Sequence, residues 1–134
     1  MTPRFLLDTH ILLRWVGEPH RLSREQFRVL RGASRQAEPL AICDITLLEI
    51  AQILKRGGPL FRQGARDIFR ELENDPGLHI LPLTIAIARE VLNLAPVLRD
   101  PADCVIAATA RIHGLQLLTS DQRILDANVV STID

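Results

Sequence analysis

Asp100-Pro101-Ala102-Asp103, followed by the apolar run Cys104 to Ala110, sets the frame for everything else in the chain. Asp before Pro is a strong helix start, with Asp100 as N-cap and Pro101 at the first helical position. Asp103 then falls at the third helical position, and Gly114 supplies the stop. Val105, Ile106, Ala107, Ala108, Ala110 and Ile112 make this helix apolar nearly all round, which predicts a mostly buried element. Its two carboxylates stand at the same end, roughly 5–6 Å apart at Cβ. Acids that open a buried helix need compensation. The helix dipole and its unpaired amides can supply it, and so can a metal ion.

Outward from this helix, short apolar runs alternate with helical patterns. Phe5, Leu6 and Leu7 read as a buried strand with Asp8 at its carboxyl end. Thr9 to Val16 continues as a short helix, and Ser23 caps an amphipathic helix running to about Arg35. Leu40 to Cys43 is a second strand. Thr46-Leu47-Leu48-Glu49 matches a capping box and predicts a helix that stops at Gly57-Gly58. Pro59 opens a more polar helix to about Asn74, and Leu78 to Leu81 is a third strand. Thr84 caps a helix ending near Pro96. After the Asp100 helix, Leu115 to Leu118 is a fourth strand, ending in Thr119-Ser120-Asp121. A helical turn at Ile124-Leu125 and a strand near Val129-Val130 follow. This alternation predicts an α/β domain with a central parallel sheet.

At 134 residues and 47% hydrophobic, the chain is expected to form one domain with a real core, residues 1–134. No apolar run is long enough to span a membrane and no signal peptide opens the sequence, so no membrane partner and a cytoplasmic location are expected. Cys43 and Cys104 lie in apolar stretches without metal-ligand spacing and read as reduced core residues. Net charge is zero, which removes any bulk pull toward nucleic acid. Lys55 is the single lysine among 16 basic residues. Arg24, Arg28, Arg31 and Arg35 recur at helical spacing, as do Arg62, Arg66 and Arg70. Each set reads either as a solvated helix face or as a stripe for a phosphate or acidic partner.

Asp8 and Asp121 each follow the carboxyl end of a strand, the edge that carries ligands in open parallel sheets. Glu49 and the Asp100/Asp103 pair are expected in the first turn of buried helices that also face that edge. Each acid has a structural alternative: Glu49 in its capping box, Asp100 and Asp121 as caps, Asp103 favouring a dipole. Asp8 alone has no evident local duty. Gathered at one edge, such acids repel unless cations sit among them, and an all-oxygen shell selects Mg²⁺ or Mn²⁺ over Zn²⁺. His10, His20, His79 and His113 form no ligand pair, and no serine triad or glycine-rich phosphate loop is present.

These motifs in this order resemble the PIN domain, and more closely the VapC-type toxins of bacterial toxin–antitoxin pairs. Leu7-Asp8-Thr9-His10, Thr46-Leu47-Leu48-Glu49-Ile50, Asp100-Pro101-Ala102-Asp103 with Ile106-Ala107-Ala108-Thr109-Ala110, and Leu118-Thr119-Ser120-Asp121 carry the likeness over essentially the whole chain. The resemblance implies a three-layer α/β/α sandwich with a mainly parallel sheet and a central first strand. It implies a metal-dependent endoribonuclease, with Asp8, Glu49, Asp103 and Asp121 on the family's acidic quartet and Asp100 as an extra acid. Mg²⁺ or Mn²⁺ is the implied cofactor, and the products carry 5′-phosphate and 3′-hydroxyl ends. RNA, a small antitoxin protein and a second copy of the chain are the implied partners. Thr9 and Thr119 match hydroxyl positions beside the acids. The branch often carries arginine after the second Asp, where this chain has Cys104. Two other readings compete: a non-catalytic PIN-like module binding RNA or protein, and phosphotransfer to Asp8. The second would need a lysine near a strand end, and Lys55 falls late in a helix.

Overall fold

The computed structural model describes residues 1–57 and 67–134. Five strands form one sheet: β1 (Phe5–Leu7), β2 (Leu40–Cys43), β3 (Leu78–Leu81), β4 (Gln116–Leu118) and β5 (Thr132–Ile133). Their spatial order is β3-β2-β1-β4-β5 and every pairing is parallel. The chain winds outward from β1 through β2 to β3, then returns to place β4 and β5 on the other side. The order therefore reverses between β1 and β4, and a crevice opens beyond their carboxyl ends.

The helices are α1 (Thr9–Gly17), α2 (Arg24–Arg35), α3 (Asp44–Arg56), α4 (Ile68–Glu73), α5 (Ile85–Leu94), α6 (Pro101–His113) and α7 (Gln122–Ala127). A short 3₁₀ turn, Pro19–Arg21, joins α1 to α2. Strand side chains alternate between two cores, as the pleat requires. Leu6, Ala41, Cys43 and Leu117 pack with Leu94, Ile106, Ala107 and Ile124 from α5, α6 and α7. Phe5, Leu7, Ile42 and Leu118 pack with Ile11, Leu30, Ile50 and Leu72 from α1 to α4. The result is a sheet between two helical layers. Among the described residues no helix is long and apolar enough to cross a membrane.

Most elements fall where local signals put them. Asp100 caps α6 by accepting from the Asp103 amide at 3.0 Å, Pro101 opens the helix, and Gly114 ends it at φ 66° in the left-handed region. Ser23 and Gln26 close a reciprocal capping box on α2. Cys43 and Cys104 are both free and buried.

Three expectations are corrected. The helix expected from Thr46 starts at Asp44, directly off β2, and the Thr46–Glu49 capping box does not form. Thr46 is fully buried, and its hydroxyl meets Thr9 Oγ1 at 2.9 Å instead of a helix amide. The last strand is Thr132–Ile133 rather than Val129-Val130. Asn128 ends α7 in the left-handed conformation, and the two valines pack onto the α5–α7 core before pairing begins. Asp8 does carry a local duty, because it is the N-cap of α1. The expected helix start at Pro59, and Arg62 and Arg66 of the second arginine stripe, lie outside the described residues.

Candidate active site

Asp8 leaves β1 at the crevice and is 6% exposed. Its Oδ1 accepts from the Thr9 amide at 2.8 Å and its Oδ2 from the Thr119 hydroxyl at 2.8 Å. Burial pushes its carboxyl above the ordinary range, against the pull of these two donors. Thr119, directly after β4, is fully buried and also accepts from the Asp121 amide at 3.0 Å. One hydroxyl thus spaces the two strand-end acids.

Glu49 sits in the second turn of α3. Thr9 Oγ1 donates to Glu49 Oε1 at 2.6 Å. A threonine hydroxyl has one proton, so Thr46 must be the donor in its contact with Thr9. The chain Thr46→Thr9→Glu49 fixes this carboxylate from below. Burial raises the Glu49 pKa, and the neighbouring charges of Asp8 and Asp100 add to it.

Asp103 is 7% exposed, and its Oδ2 is buried and accepts no hydrogen bond. Burial, with the charges of Asp121 and Asp100, pushes its pKa up to about 7. Arg123 Nη2 lies 3.2 Å from that oxygen, close enough for an ion pair but without hydrogen-bond geometry. Arg123 grips Asp121 more tightly, Nη2 on Oδ2 at 2.9 Å and Nε on Oδ1 at 3.2 Å. This grip holds Asp121 below the ordinary carboxylate range. Asp121 also caps α7 through the Arg123 amide.

All five sequence-predicted acids therefore gather at the carboxyl edge of the sheet, each feeling the charge of another or bonding to it. A small cleft of about 150 Å³ lies there, lined by Asp8, His10, Arg14, Ser120 and Asp121. Larger hollows, about 380 and 430 Å³, lie around Glu38 and contain none of these acids. Among the described residues no three of the acids stand close enough together to hold a metal ion as they are placed. In chemical type the acids suit a hard divalent cation: the available donors are carboxylate oxygens, and one of them, Asp103 Oδ2, is buried without a hydrogen-bond donor. The two cysteines offer nothing to it. Burial pushes the Cys43 thiol up to about 12, and Cys104 turns inward to the Leu98 carbonyl at 2.8 Å.

The PIN-domain family model matches residues 5–130. The chain belongs to the PIN-domain family. Ribonuclease VapC22 of Mycobacterium tuberculosis is 31% identical over 120 residues, covering 89% of this PIN domain and 88% of that protein. A toxin–antitoxin complex from Klebsiella pneumoniae contains a chain with TM-score 0.62 and 24% identity, covering 96% of this chain and 95% of that one. FitAcB from Neisseria gonorrhoeae aligns with TM-score 0.67 and 25% identity, covering 97% and 96%.

Two residues that matter to the PIN-domain site escaped sequence reasoning. Arg123 is one; an N-cap acid two residues before an arginine was the available signal. Gln26 is the other. It is fully buried, and its Nε2 donates to Ser120 Oγ at 3.0 Å, tying α2 to the loop that carries Asp121. The cap at Ser23 was read from the sequence, but neither the reciprocal bond of Gln26 nor this second contact was. Lys55 is exposed in the last turn of α3, at the far end from the crevice, which removes the lysine that phosphotransfer to Asp8 would need.

Proposed function

We propose that this PIN domain, spanning residues 1–134, is a metal-dependent endoribonuclease of the toxin–antitoxin type, cleaving RNA phosphodiester bonds. The observation that carries the reading is that Asp8, Glu49, Asp103 and Asp121, from four distant segments, meet at one sheet edge, where Asp103 Oδ2 is buried without a hydrogen-bond donor. Asp8, Glu49, Asp103 and Asp121 would hold Mg²⁺ or Mn²⁺, with Asp100 beside them. When bound, the ion would supply a nucleophilic water at neutral pH and offset charge growing on the phosphate.

The chain's own residues do the rest. Thr9 and Thr119 aim the carboxylates of Glu49 and Asp8 with neutral donors, leaving the negative charge available. Asp100 spends one oxygen on the Asp103 amide and so fixes the first turn of α6. Asp103, near pKa 7, holds a proton for much of the time in the metal-free protein, and cation binding must release it. Arg14 and His10 line the cleft on the side open to solvent, where a phosphate backbone would approach.

The expected partners are RNA, a small antitoxin that covers the acidic cleft, and a second copy of the chain. Apolar side chains exposed near β3 and α5, Leu83, Ile85, Leu92 and Val97, offer surface for such contacts. The deciding experiment incubates end-labelled RNA with the purified protein and Mn²⁺, beside D8N and a chelator control. Cleavage that needs both Asp8 and metal supports the reading. RNA binding without cleavage favours the non-catalytic module instead.

A further inference from the structure

Arg123 is the one guanidinium in ion-pair contact with the acids among the described residues. Its carrier, α7, begins at Asp121, so both partners of the stronger pair move as one piece. Asp103 comes from a different helix, and the same Nη2 serves it at 3.2 Å and Asp121 at 2.9 Å. The side chain is nonetheless 68% exposed, and among the described residues no group besides these two acids holds its guanidinium. It is therefore free to leave by rotation about its own stem. Cys104, beside Asp103, points into the core and brings no charge to the site.

A divalent ion bound between Asp103 and Asp121 would lie within a few ångströms of this guanidinium, and like charges at that range repel strongly. The two cations cannot share both acids. We propose that Arg123 is a resident counter-cation, which pairs with Asp121 and reaches Asp103, offsets part of their charge in the metal-free protein, and must be displaced when metal binds. The inference rests on the metal-dependent reading above. Asp8 and Glu49, held by neutral hydroxyls and an amide, need no such displacement.

The test is Mn²⁺ titration by calorimetry, with melting curves of metal-free and metal-loaded protein, for wild type, R123Q and R14Q. R123Q is expected to bind Mn²⁺ about tenfold more tightly, the scale of one ordinary charge-pair coupling. Its metal-free form should melt lower than wild type and its loaded form close to it, so that metal produces a larger upward shift. Arg14 lines the same cleft without an ion pair to the acids, and R14Q controls for a simple change in net charge. Equal tightening in R14Q and R123Q overturns the proposal, because it reduces the effect to long-range charge. Unchanged affinity in R123Q, with both melting curves lowered alike, overturns it by making Arg123 merely structural. If neither wild type nor R123Q binds Mn²⁺, the metal-dependent reading fails first, and this proposal falls with it.

Discussion

The two sides of the acidic crevice are held together by different chemistry. On the β1–α3 side, Asp8 and Glu49 are oriented by threonine hydroxyls and a backbone amide. On the α6–α7 side, Asp103 and Asp121 are bridged by an exposed arginine. Neutral donors fix direction and leave the charge standing; a guanidinium offsets part of the charge and fixes direction less well. One side is thus permanently prepared for a cation, while the other is prepared only after a cation already there has left. The pKa directions follow this division only in part. Asp121 is lowered by Arg123, whereas Asp103 stays raised because burial and neighbouring acids outweigh its weaker ion pair.

The comparison is broken most directly at its ligands. D8N keeps the size of the side chain and an oxygen for one donor, but loses the charge. RNA cleavage should fall by more than about 100-fold, since loss of groups beyond the ligands already costs 10–100-fold. Melting should change little. D103N should be as damaging to cleavage, because a neutral amide is a poor substitute for a buried carboxylate oxygen that has no donor. Measured alongside, a fully active D103N would assign the metal to the β1–α3 side alone.

A smaller effect comes from the shared hydroxyl. T119V keeps shape while deleting both the donor to Asp8 and the acceptor for the Asp121 amide. Cleavage or Mn²⁺ affinity should fall about 10–100-fold, and the stability loss should be about 1.5–3 kcal/mol, typical of a bond to a charged group. A Thr119 variant with normal affinity would mean that Asp8 needs no orientation.

The charged states make a prediction about pH. Asp103 has a folded pKa of about 7 against an ordinary 3.8, so the native state holds its proton longer than the unfolded chain. Stability from this group is present below about pH 4 and is lost as pH rises through 7. The metal-free protein should therefore show a falling contribution to melting temperature between these values, and D103N should remove that slope. Saturating Mn²⁺ should reverse it, because metal binding releases protons and strengthens with pH. A slope that survives in D103N would move its origin to Asp8 or Glu49. The smallest change is expected from D100N: asparagine also caps well, so stability should drop by only a few tenths of a kcal/mol. Loss of cleavage in D100N at unchanged melting would make Asp100 a direct metal ligand.

How far these features could be read from sequence depends on the range of the interaction behind them. Both ends of α6, the Ser23 cap of α2 and the stop of α3 at Gly57 are written within four residues, and each is where the motif places it. The start of α3 was misread because Thr46 has a better partner 37 residues away than its own helix amide. Val129 and Val130 have strand-forming side chains, but the left-handed turn at Asn128 sends them to a core first. The acids were legible as a group because each follows a strand or opens a helix at the same sheet edge. Arg123 was not, since its role exists only once α6 delivers Asp103 beside α7.

The hydrogen bond between Thr119 and Asp8 spans 111 residues of chain. Its strands, β1 and β4, are adjacent in the sheet, yet β2, β3 and helices α1 to α6 lie between them in sequence. Synthesis proceeds from the amino terminus, so Asp8 emerges early and waits for most of the chain before its partner strand exists. Long-range parallel pairing is also slow to form. The crevice can be completed only once β4 has joined β1, so until then the chain carries Asp8 and Asp121 apart.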